Sequence, residues 1–270
     1  MNLQREYTTV LSIAGSDGSG GAGIQADLKT IAASGCYGLS VITAVTAQNT
    51  LGVGAAHQLP AGFIKAQFMT IAEDIRIDSV KIGMLGSTEA AETVSELLKM
   101  LDGVPVVLDT VLRSTGGKSL FPASGKSTMK QLLFPIATLV TPNLLEAAML
   151  TGKERKPASR DEVEGTALEL HRSGARSVLV KGGHGEGSEC LDCLLHEGRF
   201  HWFSNRKIDT QNTHGTGCTL SSAIASQLAL GVEMVDAVAT GIAYTRAAIL
   251  EGSRWRLGHG HGPLHHFPGR

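Results

Sequence analysis

Two hydrophobic rhythms alternate along the chain. Nearly continuous apolar runs of strand length are each followed by a stretch whose apolar residues recur every three or four positions. "TTVLSIAG" leads into "GIQADLKTIAAS", "SVKIGML" into "STEAAETVSELLKML", "VPVVLDTV" into "GKSTMKQLLFPIA", and "TLVTPN" into "LLEAAMLTG". "LSVITAVTAQ" reads as one strand ahead of the helix "PAGFIKAQFMTIAED", and "RDEVEGTALELHRSGA" reads as the helix ahead of the strand "SVLVKGG". Strands that lack polar alternation are buried on both faces, so the pattern predicts a mainly parallel sheet with helices on each side.

The pattern changes in two places. "SECLDCLLHEGRFHWFSNRKI" predicts a hairpin that turns at Glu197 and Gly198, with two helices closing the chain after it. "NTLGVGAAHQLPA" is long and glycine-rich for a strand-to-helix connection, and predicts a small flap over a site. With no long linker, repeat or low-complexity stretch, residues 1–270 are expected to form a single domain.

Composition narrows the partners. The formal net charge of 270 residues is −1, no basic run is present, and aromatic residues make up 4%. This argues against a nucleic-acid groove or an anionic membrane surface and for a small ligand. The N-terminal "MNLQREYTTVLSIAG" has no signal-peptide core or apolar span, so a cytoplasmic location is expected. Cys36, Cys190, Cys193 and Cys218 do not suggest a disulfide framework. Cys190 and Cys193 form one CxxC within an alternating stretch, and without a second pair they read as core strand rather than zinc ligands.

Several motifs imitate known sites. Gly18, Gly20 and Gly23 satisfy GxGxxG between a strand and a helix, but no acid follows about twenty residues on to hold a ribose. "SGKST" resembles a P-loop, yet Leu120 occupies the place of its first glycine, so the segment reads as a helix start. His259, His261, His265 and His266 lie in a glycine-rich end without regular ligand spacing and read as a surface tail.

Other motifs suit phosphoryl transfer. Gly15, Gly83, Gly182 and Gly183 end predicted strands, as do Gln48, Asp109 and Asn143, placing them on the carboxyl rim where such sheets bind ligands. "THGTGC" precedes a helix, so Gly215, Thr216 and Gly217 offer backbone N–H groups to an anion, and Cys218 in the first turn is expected to favour thiolate. Lys181 could reach phosphates, and Asp109 suits Mg²⁺ or its waters. Glu146 stands three residues after Asn143, which is also capping-box spacing.

"SIAGSDGSGGAGIQADLKT", "TAVTAQNT", "KIGML", "VVLDTV", "VTPNLLEA", "VKGGH", "NTHGTGCTLSSAIA" and "GHGPLHHF", in this order, resemble the hydroxymethylpyrimidine and phosphomethylpyrimidine kinases of thiamin biosynthesis, within the ribokinase-like superfamily. The resemblance implies a three-layer α/β/α domain, usually a homodimer. It implies ATP-dependent phosphorylation of 4-amino-5-hydroxymethyl-2-methylpyrimidine to the monophosphate and then the diphosphate. It makes Gly215, Thr216, Gly217 and Cys218 the anion hole, with Cys218 where many superfamily members have an aspartate base. Asp27 and Gln48 match pyrimidine contacts, Gly15 and Met84 the lining of the same pocket, Asp109 and Glu146 the Mg²⁺ side, and Lys181 with His214 the ATP side. The alternatives are a pyridoxal kinase of the same family, a cysteine hydrolase using Cys218 with His214 as base, and a binding module without chemistry.

Overall fold

The computed structural model describes residues 5–114, 117–122, 124–183 and 187–269. Parts of two sequence motifs fall outside them: His184 of "VKGGH", and three positions of the loop after Asp109.

Eight strands form one sheet. Its order is β10 (Arg199–Arg206), β9 (Glu189–His196), β8 (Val178–Val180), β7 (Leu139–Val140), β6 (Val106–Leu108), β5 (Ser79–Ile82), β1 (Thr9–Ala14) and β2 (Tyr37–Ile42). All neighbours from β2 to β8 run parallel, while β9 and β10 are antiparallel. The β9–β10 hairpin turns where expected: Glu197 and Gly198 both have positive φ, at 48° and 73°, the geometry that matches the twist of a two-residue hairpin.

Alternate strand residues point into two helical layers. Leu11, Ile13, Val80, Ile82 and Leu108 pack with Ile64 and Phe68 of α2 (Ala61–Ala72), and with α3 (Thr88–Leu98), α4 (Gly125–Leu132), α5 (Leu144–Thr151) and α6 (Arg160–Arg172). Val10, Val107, Leu139 and Leu179 face α1 (Gly23–Ala33), α7 (Thr216–Ala229) and α8 (Met234–Gly252). Strands buried on both sides explain the unbroken apolar runs.

One predicted strand divides. "LSVITAVTAQ" is split between β2 and β3 (Ala44–Asn49), because Thr43 gives its N–H to Ala14 O and its hydroxyl to Met84 O, turning the chain off the sheet. β3 then pairs antiparallel with β4 (Gly52–Gln58), so the predicted flap is a separate two-stranded ribbon. "SGKST" does start a helix, α4. Cys193 is buried in β9, and no group of three or more His, Cys, Asp or Glu among the described residues could hold a metal ion.

The chain reverses direction across the sheet between β1 and β5, on either side of which β2 and β6 are added. Crevices at such a switch point open at the carboxyl ends of the strands. Gly15 follows β1 and Met84 follows β5, which places both at this crevice.

Candidate active site

Two glycine-rich loops meet over the switch point. The loop after β1 holds Asp17, and the loop before α7 holds His214 to Gly217. They touch at Gly215, where a Cβ would stand 1.8 Å from Gly21 O and φ is +86°; no side chain fits there. Gly21, which makes this contact, lies between Gly20 and Gly23 of the apparent dinucleotide motif.

Asp17 organises this contact, and the sequence reading did not single it out. Its Oδ1 accepts from the N–H and Oγ of Ser19, and its Oδ2 from the N–H groups of Gly21 and Ala22. His214 Nε2 lies 2.8 Å from Oδ2. Burial alone would raise the Asp17 pKa, but these bonds, led by His214, hold it down at about 2. The available signal was an aspartate ahead of Gly-Ser-Gly-Gly, which is turn chemistry.

α7 begins without a side-chain cap. Thr216 is tied back to Thr213 O through both its N–H and its hydroxyl. Among the described residues the amides of Gly217 and Cys218 have no backbone partner, as expected of a first helical turn. They are the donors an anion would meet, with the helix dipole behind them. A Cβ on Gly217 would come 3.2 Å from Asp109 Oδ2 and 3.4 Å from Lys181 Nζ, so the anion loop, the acid and the cation share one mouth.

Asp109 and Lys181 form an ion pair of 2.7 Å. Burial works against the Lys181 charge, but Asp109 and Glu146 overcome it and raise its pKa. Thr141 Oγ1 also donates to Asp109 Oδ1, at 3.3 Å, which leaves Oδ2 facing Gly217. Glu146 is buried, and both readings of it hold local evidence. It completes the capping box of α5, accepting from Asn143 N at 2.9 Å while Asn143 Oδ1 accepts from its own N–H. Thr110 Oγ1 donates to it as well. Burial raises its pKa first, with Asp109 adding to the rise and Lys181 opposing it.

Three expectations are corrected. Asp27 does not line the pocket. Its side chain has no exposure, both oxygens lie 2.8 Å from Lys81 Nζ, and Ser12 and Ser222 donate to it at 2.6 and 2.8 Å. Lys81 is equally buried; burial would lower its pKa, but Asp27, Cys218 and Asp109 push it upward, so it is charged. Second, the side chain of His214, expected to serve ATP, is held between Asp17 and Gln48. Third, the surroundings of Cys218 oppose its ionisation instead of favouring thiolate. Burial raises its pKa, Asp27 and Asp109 add to the rise, and Lys81 only partly counters them, leaving it at about 11. The dipole of α7 is outweighed by desolvation.

Gly15 and Met84 lie against each other: Gly15 donates to Met84 O at 3.0 Å, and a Cβ there would strike Met84 Cε at 2.2 Å. Gln48 reaches the same edge from the flap, where the β3–β4 register shifts between Ala47 and Gln48. The histidine-rich end is no surface tail. His261 N donates to Thr50 O in the flap turn, His214 N donates to Gly262 O, and His266 is buried against Thr219. This strap joins the flap to the anion loop, and no periodicity announces it.

A topological-switch crevice, an uncapped helix start, and a Lys–Asp pair at its mouth define a small-molecule kinase of ribokinase-like fold, and solved structures agree. A pyridoxal kinase from Bacillus subtilis, in complex with ADP, superposes with a TM-score of 0.90 at 32% identity, covering 97% of this chain and 98% of that one. The phosphomethylpyrimidine kinase of Clostridium difficile 630 is 43% identical, with a TM-score of 0.78 over 89% of this chain and 99% of its own. The chain belongs to the phosphomethylpyrimidine kinase family, whose model matches residues 17–265. A hydroxymethylpyrimidine/phosphomethylpyrimidine kinase from Rhizobium meliloti is 45% identical over 259 residues, 95% of this chain and 96% of the relative.

Proposed function

We propose that this protein transfers the γ-phosphoryl group of ATP to the hydroxymethyl oxygen of 4-amino-5-hydroxymethyl-2-methylpyrimidine, and then phosphorylates the monophosphate to the diphosphate. The observation that carries the reading is the convergence of the Gly217 and Cys218 amides with Lys181 and Asp109 at one mouth. Donors aimed where phosphate charge develops are what this chemistry asks of a protein.

In this reading the two amides hold the travelling phosphoryl group, and Lys181 offsets charge on the triphosphate. Gln48, Gly15 and Met84 hold the ring, and the flap reduces access of water. Cys218 accepts the hydroxyl proton as phosphoryl transfer proceeds. Its high pKa makes it a strong base present in a small ionised fraction. Membership in a kinase family supports phosphoryl transfer over the cysteine-hydrolase alternative.

A divalent cation fits one side of the site. Asp109 keeps Oδ2 free toward Gly217, whereas the Glu146 oxygens are engaged by Asn143, Thr110 and Leu112. Asp109 would hold Mg²⁺ or its water, with Glu146 behind it, and the ion would neutralise phosphate charge. A homodimer is proposed with this function, supported by exposed Val45, Leu51 and Phe63 on and beside the flap. The location proposed is the cytoplasm, supported by four free cysteines; no helix among the described residues is long and apolar enough to cross a membrane.

Purified protein with Mg·ATP and the pyrimidine alcohol tests this directly. ADP release with products one and then two phosphates heavier is expected, and no product would overturn the reading. Pyridoxal in a parallel reaction measures the second activity, which the similarity to the Bacillus subtilis pyridoxal kinase favours.

A further inference from the structure

Lys81 and Asp27 carry buried charges that the proposed chemistry does not use, yet packing sets them one helical turn from its base. The register between β5 and α7 shows how. Ser79 Oγ donates to Ala225 O. Two residues further along β5, Lys81 meets Asp27, to which Ser222 Oγ donates at 2.8 Å. Advancing along the strand therefore steps back along the helix, and one more turn back from Ser222 on the same side of α7 is Cys218.

Helix α1 supplies the other half of the arrangement. Its first residue, Gly23, offers a backbone N–H to the Cys218 sulfur, and Asp27, four positions later, takes the Ser222 hydroxyl. Cys218 and Ser222 on one helix thus face Gly23 and Asp27 on the other. The lysine side chain reaches toward the carboxyl end of its strand: a Cβ on Gly83 would stand 2.7 Å from Lys81 Nζ, so the ammonium occupies space that only glycine leaves open.

The pair is neutral as a whole but has a direction. Asp27 keeps the lysine charged in spite of its burial, and the ammonium is the end that dominates at the sulfur. Burial is the main opponent of a charged Cys218, Lys81 is the main group favouring it, and Asp27 and Asp109 oppose it more weakly. Lys181, after β8, also acts on the sulfur, but it is paired with Asp109 at 2.7 Å.

We propose that Lys81 is a positioning residue for the phosphoryl transfer, its ammonium held by Asp27 and by the gap at Gly83 so that a fixed positive charge supports the Cys218 thiolate that takes the hydroxyl proton. The inference rests on the reading of Cys218 as base given above. A charge already in place needs no rearrangement when the reaction occurs. Asp27 and Gly83 act through Lys81, and Lys81 acts through Cys218.

The test uses the double variant Asp27→Asn, Lys81→Met. It replaces both members of the pair with neutral groups of similar size and leaves no lone buried charge, and an amide at position 27 can still accept from Ser12 and Ser222. Cys218 is partly exposed, so its alkylation by iodoacetamide can be followed by peptide mass spectrometry as a function of pH, thiolate being the reacting form. Loss of the ammonium should raise the Cys218 pKa by roughly one unit. Alkylation between pH 8 and pH 9 should then be about 3- to 10-fold slower than in wild type, the smaller thiolate fraction being partly offset by a stronger nucleophile. The first phosphorylation should slow by a similar factor, and the second, whose acceptor is already ionised, should change little. Gly83→Ala keeps both charges but displaces the ammonium, and should move the alkylation profile the same way by less. Folded variants whose profiles overlay the wild type would overturn the inference, and so would equal slowing of both phosphorylations, which a merely structural role predicts. A shifted profile with an unchanged first step would instead overturn the base reading of Cys218, and the catalytic part of the inference with it.

Discussion

Lys81 Nζ is 2.8 Å from each carboxylate oxygen of Asp27, and neither side chain has any solvent exposure. The pair lies near enough to Cys218 and Asp109 for their charges to act on Lys81. Ser12 and Ser222 complete its hydrogen bonds, so strands β1 and β5 and helices α1 and α7 are joined at one buried point. Removing one partner leaves a charge without water or counter-ion. Asp27→Asn should destabilise the protein by about 3–5 kcal/mol, read as a shift in the denaturation midpoint. A variant of wild-type stability with a raised pyrimidine KM would restore Asp27 to the pocket.

Asp17 links stability to pH. Its folded pKa of about 2 lies below the ordinary aspartate value of 3.8, so its contribution is fully present above the unfolded value and is lost as pH falls through the folded one. The difference corresponds to about 2 kcal/mol, lost between about pH 5 and pH 2. Denaturation in that window should fall more steeply for wild type than for Asp17→Asn. Parallel curves would show that the network does not hold the carboxylate down.

Cys218 should reveal itself through its high pKa. If the thiol takes the proton, kcat/KM for the first phosphorylation should rise with pH between 7 and 10, because the active form is the ionised minority of a group with a pKa of about 11. Cys218→Ala should flatten that profile and lower the rate by roughly 10²–10⁴-fold. The monophosphate is already ionised, so the second step should lose much less. Equal losses in both steps would assign Cys218 to shaping the phosphate pocket. Cys218→Asp, carrying the base of other superfamily members, should retain measurable activity.

Glu146 separates its two roles through a conservative change. Glutamine can still accept from Asn143 N and close the capping box, so Glu146→Gln should cost under about 1 kcal/mol of stability. Asp109→Asn and Glu146→Gln should each raise the Mg²⁺ concentration giving half-maximal rate. An unchanged Mg²⁺ dependence in Glu146→Gln would confine that residue to the helix cap.

Gly260 tests the strap. A Cβ there would lie 2.0 Å from Thr50 O, against backbone that cannot rotate away. Gly260→Ala should displace the flap turn, cost about 1–3 kcal/mol, and raise the pyrimidine KM. Hydrogen exchange faster than wild type at Thr50 and His261 would report the same opening.

The sequence by itself determined the layered fold, because strands buried on both faces and helices buried on one leave different hydrophobic periods. It also determined the hairpin turn at Glu197 and Gly198 and the glycine loop before α7, since local backbone geometry selects those residue types. It marked the rim that carries Gly15 and Asp109, because a parallel sheet lines up its strand ends. Only the tertiary structure decided how deep each polar group lies and which partner it meets. Asp27 and Gln48 look equally available along the chain, yet Asp27 is enclosed with Lys81 while Gln48 reaches the flap edge. The ionisation of Cys218 sets burial, Asp27 and Asp109 against the charge of Lys81. Asp17 and His214 meet across 197 positions. Such distances and dielectric surroundings come from packing between distant segments, and hydrophobic periodicity carries no record of them.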